Sequence, residues 1–449
     1  MIFLMVLSVF LDDFRFGDEQ QREFARFDFY YYYVIWLLFV IHYISKRKEL
    51  PNPPSWFLGG ILVLFSISFL AGALSDTLKF SMIKQILGIA YSSYAYFALI
   101  KYTNFDLPRL FGLYLRIANI IAIIGIVEQS MHIFGLDIRF QGGPIEKALR
   151  MVGLANVWDN YKPVSLGLYR VYSIMGEPYF LAVALLPAFY YYLNIMFGTR
   201  NIRNWGLYGQ FTLISATLFM TFSTAGYTGI LLSAGMLVAN KGWLNPRKYG
   251  LIFLPLFVFL IIPKLGSLRK SFFELQVRVD DTIKAFASQG NMTKDEMAKL
   301  NSSSFALYSN FLIAGKSFEE HPLIGSGLGS HAVNYDRYFD QFLDARLKKM
   351  YGKFNTKDAN SLFIRLMSEA GLIGLIILGL AVFRFFIFTK GINNPDLAIY
   401  TLINQGVFIM FVVRILRTGN YIGQGFFFFF FLYAFSAIYI RKYYKNSLS

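Results

Sequence analysis

Cysteine is absent from this chain of 449 residues, so neither disulfides nor thiolate-bound metals can hold it together. Histidine is almost absent too, with four in all and no clustered ligand spacing, so neither a catalytic metal nor another cofactor is expected. Charge is scarce: 16% of residues are Asp, Glu, Lys or Arg, where a soluble domain carries roughly 25%. Acids are scarcer than bases, 27 against 43, which leaves a formal net charge of +16. The first eleven residues lack both a basic start and a small-residue cleavage site, so no cleavable leader is expected. No apolar run alternates with period two, which argues against a transmembrane β-barrel.

What is present is apolar, 56% hydrophobic and 19% aromatic. Runs long enough to cross a hydrocarbon layer of about 30 Å recur throughout. The expected fold class is all-α, a polytopic membrane protein of about twelve transmembrane helices. Spans are expected near 1–11, 29–45, 56–75, 80–101, 110–135, 172–197, 206–222, 225–240, 248–264, 360–389, 396–416 and 421–440. The first is short, because eleven helical residues reach only about 16 Å; a partial or tilted insertion is expected there. The runs Tyr30 to Tyr33 and Phe426 to Phe431 read as lipid-facing or packing aromatics.

In a soluble chain the excess of bases would suggest nucleic acid; here the charges are sorted by loop, and no nucleic acid partner is expected. Alternate connections carry Lys46, Arg47 and Lys48, then Lys101 and Arg109, Arg200 and Arg203, Lys241, Arg247 and Lys248, Lys390, and finally Arg441, Lys442 and Lys445. By the positive-inside rule these loops and both termini are cytoplasmic. Loops 12–28, 136–171 and 265–359 then face outward. The last is a large polar insert, 265–359, between the ninth and tenth spans, and residues 1–449 otherwise read as one integral membrane domain. Its apolar residues Phe305, Tyr308, Phe311 and Leu312 recur at helical spacing. Two or three amphipathic helices lying on the membrane and capping a cavity are expected.

Five motifs gather at outward-facing positions. Arg170 leads to Glu177-Pro178 at the mouth of a span, where Pro suits a first helical turn and Glu its positive end; the same pair suits a diphosphate and its acceptor hydroxyl. Thr221 to Tyr227 is a small-residue turn that serves close helix packing or substrate contact equally well. His321-Pro-Leu-Ile-Gly-Ser-Gly-Leu-Gly329 holds three glycines that could form a nest of N–H groups for an anion, or simply a tight turn. Arg365 and Glu369, four residues apart after Asn360, read most simply as an intrahelical pair. Arg414 and Arg417 end a span at a depth where charges usually face a cavity or snorkel to the surface.

Taken in order, these segments resemble the Wzy-type polymerases of O-antigen and capsular polysaccharide, within the O-antigen ligase and polymerase superfamily. The matching residues are Arg170 with Glu177-Pro178, Thr221 to Gly226, His321 to Gly329, and Asn360 through Glu369-Ala-Gly371-Leu-Ile-Gly374. The ligase branch has a His before the Asn, where Ala359 stands here, and an Arg after the Ser of the small-residue turn, where Thr224 stands. Both departures favour a polymerase over a ligase.

The resemblance implies a metal-independent glycosyltransferase in a bacterial cytoplasmic membrane, acting on its periplasmic or extracellular side. Its substrates are undecaprenyl-diphosphate-linked oligosaccharides, both donor and acceptor, and its surroundings are membrane lipid. A chain-length-regulating co-polymerase is a further partner by the same analogy. The departing diphosphate needs fixed cations. One cation about 4 Å away gives about 4 kcal/mol at an effective dielectric of 20, before desolvation. Arg170, Arg278, Arg414 and Arg417 are the candidates to bind it, and Glu177 and His321 the candidates for general base; Arg365 and Asn360 are secondary site residues. Two other readings stay open. Asp12-Asp13 would suit a metal-dependent transferase of the GT-C type; a polysaccharide flippase would commonly show internal repeats and broken helices at mid-membrane, whereas no repeat relates the halves of this chain and its polar residues collect at the outer mouth.

Overall fold

The computed structural model describes residues 1–11, 31–77, 79–134, 163–165, 168–175, 177–198, 205–241, 269–288, 290–351, 356–388, 394–423 and 425–448. Within them the protein is helical apart from one antiparallel hairpin, β1 (Pro163–Ser165) and β2 (Leu168–Tyr169). The helices ahead of it are α1 (Ile2–Leu7), α2 (Tyr31–Arg47), α3 (Ser55–Leu74), α4 (Phe80–Tyr102) and α5 (Leu107–Ile133). After it come α6 (Pro178–Gly198), α7 (Trp205–Met220) and α8 (Thr224–Lys241). The insert contributes α9 (Arg269–Ala287), α10 (Lys294–Lys299), α11 (Ser302–Glu320), α12 (His331–Phe342) and α13 (Ala345–Tyr351). Three long helices close the chain: α14 (Leu362–Arg384), α15 (Pro395–Arg417) and α16 (Phe426–Leu448).

Six of the described helices, α3, α5, α6, α14, α15 and α16, are long and apolar enough to cross a membrane. This is a multi-pass membrane protein. In the described residues α2 has 17 residues and α7 has 16. The expected span 248–264, the loop 12–28, the Asp12-Asp13 pair and most of loop 136–171 lie outside the described residues. The expected first span is a six-residue helix followed by a 3₁₀ turn, Ser8–Phe10. Met5, Val6, Val9 and Phe10 are fully buried, and α1 packs on α2, α4 and α5, so the segment plugs the bundle from within.

Position in the bundle follows from which surfaces are covered. In α6 78% of the apolar stretch is buried, against 22% in α3, which puts α6 at the centre and α3 at the lipid-facing edge. α6 packs on α15, α7 and α8, and α15 packs in turn on α16. In a medium without water every buried polar group needs an internal partner. Tyr190 of α6, Asn240 of α8 and Gln405 of α15 supply one another: the Tyr190 hydroxyl donates to Gln405 Oε1 at 2.5 Å, and Asn240 Nδ2 donates to the same oxygen at 2.8 Å. The phenylalanine run is buried packing, since Phe428, Phe429 and Phe431 are all at 0% exposure.

The insert differs from the expected layer of two or three surface helices. Its five described helices enclose a core of their own, in which Phe305, Tyr308, Leu312 and Ile313 of α11 meet Tyr335, Tyr338 and Phe339 of α12. Phe311 points the other way and joins Leu307 and Ala314 against Ala359 and Ile364 at the start of α14. α10 opens with a capping box: Thr293 Oγ1 accepts from the Glu296 N–H, and Glu296 Oε2 accepts from the Thr293 N–H at 2.8 Å. Those bonds hold the Glu296 carboxyl below its usual range.

The insert rests on the bundle through the His321 segment. Its Gly325, Gly327 and Gly329 have φ of 65°, 92° and 77°, as an anion nest would require. Three successive N–H groups, of Gly325, Ser326 and Gly327, donate to carbonyls instead. Ser326 donates to Ser368 O at 3.0 Å, Gly327 to Glu369 O at 2.8 Å and Gly325 to His321 O at 3.0 Å. In return Leu372 donates to Pro322 O and Ile373 to Leu323 O, at 2.8 and 3.0 Å. These bonds are possible because α14 breaks at Gly371, where φ is 57° and ψ −152°. The segment is a wedge in a helix break, as a tight turn would be, and these three N–H groups are committed to it. Its other flank meets the α3–α4 turn, where Ser75 Oγ and Thr77 Oγ1 donate to Ser326 O. From that turn α4 runs 23 residues to the other end of the bundle, about 34 Å at 1.5 Å per residue.

Candidate functional site

At the end of the bundle that carries the insert, the Arg170 segment is fixed before α6 begins. Val171 donates its N–H to Met220 O at 2.9 Å, and Arg170 Nε reaches Thr221 O at 3.4 Å. The first and second sequence motifs therefore form one unit. Ser173, at φ 54°, donates its N–H to Glu128 Oε2 at 2.8 Å and its hydroxyl to Ile121 O at 2.9 Å. Glu128 is 5% exposed and is the one acid in the apolar run of α5, a signal readable in the sequence that the motif reading passed over. Pro178 then opens α6 as expected, and Glu177 just ahead of it is exposed.

The next residue of α6 is approached by two of the later segments. The Tyr179 hydroxyl is buried, within electrostatic reach of Arg414, Arg417 and Asp358 and beside Thr418. Arg170 in turn lies within reach of Tyr227, at the other end of its own unit. Arg414 is wholly buried; its Nη2 donates to Asn420 O at 3.1 Å and Gly423 O at 2.6 Å, and its guanidinium sits 5.2 Å over the Phe426 ring. It braces the turn between α15 and α16. Arg417, one helical turn on, is half-buried and is the more accessible of the two. Asp358, half-buried at the entry to α14, accepts the Asn360 N–H at 3.0 Å, and desolvation pushes its carboxyl up. Asn360 itself has φ 56° and shapes that turn. Ser361 Oγ donates to Ile415 O at 2.9 Å, which fastens this entry to the arginine pair.

Arg365 and Glu369 do pair, at 2.9 Å, but in a buried setting rather than on an open helix face: their side chains are 5% and 0% exposed. Arg365 also donates to Gly419 O at 2.8 Å and Gln85 Oε1 at 3.1 Å, and lies 4.4 Å over the Tyr421 ring. Glu369 Oε2 accepts the Tyr421 hydroxyl at 2.9 Å, and Oε1 takes the His331 N–H at 3.3 Å. Beyond it His331 Nε2 meets Asn310 Oδ1 at 2.9 Å, while Asn334 donates to Ser317 and Ser368. Gln85, Asn310, His331, Asn334 and Tyr421 had no local sequence signal, because each partner is far away along the chain.

His321 does not join the arginines. It caps the end of α11, half-buried, next to Pro322 on the Gly371 break. From Ser361, which faces Ile415, to Leu372, which faces Pro322, is eleven residues of α14, about 16 Å of helix. Arg278 lies within α9, and its side chain is outside the described residues. Among the described residues no group of three His, Asp or Glu side chains is placed to hold a metal. No family model matches the chain, and neither do curated proteins nor solved structures.

Proposed function

We propose that the protein is a polysaccharide polymerase of the Wzy type, working at the outward face of a bacterial cytoplasmic membrane with both termini in the cytoplasm. It would move a growing glycan from undecaprenyl diphosphate to the non-reducing end of a fresh lipid-linked repeat unit. One observation carries this reading. Arg414, Arg417 and Asp358, from segments far apart in sequence, all lie within electrostatic reach of the Tyr179 hydroxyl, two residues beyond exposed Glu177.

Each group has a task it can perform. Arg417 and Arg170 offer guanidinium forks to the diphosphate, which gains charge as its bond to the anomeric carbon breaks. Arg414, committed to two carbonyls, holds the turn behind them. Glu177 accepts the proton of the attacking hydroxyl as oxygen bonds to the anomeric carbon and the diphosphate leaves with the bonding electrons. A single displacement of this kind inverts the anomeric centre. Glu177 stands ahead of His321 as base because His321 sits at the Gly371 break, away from the arginines.

The test is made in cells that depend on this protein for polymer. Glu177→Gln should reduce polymerisation by about a hundredfold or more, the usual contribution of a general base, and Arg417→Gln and Arg170→Lys should shorten or abolish the chains. Normal chain length from Glu177→Gln, at wild-type abundance in the membrane, removes Glu177 from the mechanism. Normal chains from both arginine variants remove the reading itself.

A further inference from the structure

The end of the bundle away from the insert holds a cavity of about 490 Å³ that no part of the transfer reaction uses. Its lining combines Lys46 and Arg47 at the end of α2, Tyr102, Thr103 and Asn104 after α4, Arg109 in the first turn of α5, and Ile2. Three cations thus face one space whose lining contains no acid. Of the acids nearby, Glu49 pairs with Lys101 at 3.2 Å, and Asp106 caps the start of α5 by accepting the Arg109 backbone N–H at 3.0 Å.

The three cations are held differently. Arg47 Nη2 donates to Tyr102 O and to Asn104 Oδ1, each at 3.1 Å, and its guanidinium lies 5.6 Å over the Tyr102 ring. It is a fixed wall. Lys46 and Arg109 are exposed and have no ion pair among the described residues. A volume of this size falls in the range of small-ligand sites, roughly 300–1,000 Å³, and the charge selects an anion. Like charges brought together around an open space repel, and a phosphate among them reverses that repulsion.

The surroundings say which phosphate. Phe3 (47% exposed) and Phe105 (43%) adjoin the lining residues Ile2 and Asn104 in sequence, and with Leu4 (40%) they give this end of the bundle exposed apolar surface. Polar cations with flanking exposed aromatics and aliphatics match a lipid, whose phosphate and acyl chains need both. We propose that this cavity binds the phosphate headgroup of an anionic phospholipid, with Lys46 and Arg109 as its ligands and Arg47 as the positioning wall. The site is independent of the polymerase reading, and a binding measurement tests it without reference to activity.

The full-length protein in detergent would be titrated with phosphatidylglycerol, phosphatidylcholine of the same acyl chains, and glycerol 1-phosphate, with bound ligand counted by native mass spectrometry. The proposal expects phosphatidylglycerol to bind in preference to phosphatidylcholine, and glycerol 1-phosphate to bind far more weakly than the lipid. Lys46→Gln with Arg109→Gln should weaken phosphatidylglycerol at least about tenfold, taking roughly 1 kcal/mol per cation. Lys48→Gln with Lys442→Gln removes the same charge outside the lining and should leave binding unchanged. Equal binding of the two lipids, or the same loss from both double variants, overturns the site. Glycerol 1-phosphate binding as tightly as the lipid overturns the choice of a lipid.

Discussion

Glu369 places a carboxylate where no solvent reaches it, and the residues around it explain how the fold tolerates that. Arg365, Tyr421 and the His331 N–H satisfy its two oxygens, and Gln85 and Gly419 satisfy Arg365 in turn. Breaking such a pair from one side leaves a buried charge alone and costs about 3–5 kcal/mol. Arg365→Met should therefore lower the thermal unfolding midpoint sharply, and Arg365→Met with Glu369→Leu should recover much of the loss. Equal midpoints for the single and double variants would show that the pair is not coupled. His331 gives a pH signature. Burial, with Arg365 adding to it, holds its imidazole down to about 3 from an ordinary 6.5. Between those values the unfolded chain binds a proton that the folded chain refuses. Stability from this residue is complete above pH 6.5 and falls as pH drops toward 3, by about 1.4 kcal/mol per pH unit. Unfolding midpoints measured from pH 7.5 to 5 should fall less steeply in His331→Gln than in the wild type. The sequence showed the Arg365 and Glu369 spacing but not its burial, because Gln85 and Tyr421 reach the pair from opposite directions along the chain.

Among the elements, the break in α14 decides how the insert is seated. Gly371 adopts a backbone conformation open in practice to glycine alone, and a Cβ there would stand 2.7 Å from Gly325 N and Leu323 C. Gly371→Ala should cost about 1–3 kcal/mol from the backbone alone, with the clash added, and should loosen the insert before the bundle. Limited proteolysis would report that as faster cleavage within α9 to α13 while α15 and α16 stay intact; cleavage at the wild-type rate would contradict it. Helix positions were largely legible, since apolar runs bounded by turn residues mark them. The runs expected at 56–75, 206–222 and 225–240 correspond to α3, α7 and α8 within about two residues. The misses have physical causes. α6 starts at Pro178 rather than near 172 because the preceding residues are pulled onto Glu128 and Met220 by hydrogen bonds. α16 starts at Phe426 rather than 421 because Gly425 turns at φ 62°. The insert's own core was hidden because its apolar contacts join α11 to α12 across the wedge rather than neighbours in sequence.

For the molecule as a whole, the insert and the arginine cluster lie at one end, and the basic cavity at the other, with α4 spanning about 34 Å between them. That separation is about one bilayer, which puts the proposed transfer site and the proposed lipid site on opposite faces. The five motifs were legible in the sequence as an ordered set. The approach of the Asp358 and Arg414–Arg417 segments to Tyr179 was not, because it depends on α6, α14 and α15 meeting in space. The central claim is that this chain polymerises lipid-linked repeat units by itself. The most direct measurement incubates the purified protein, reconstituted in vesicles without divalent cation, with its undecaprenyl-diphosphate repeat unit and resolves the products by size. The account predicts a ladder of whole repeat multiples, lost in Glu177→Gln. Unchanged repeat unit, from a preparation shown to be folded by its unfolding midpoint, would contradict it.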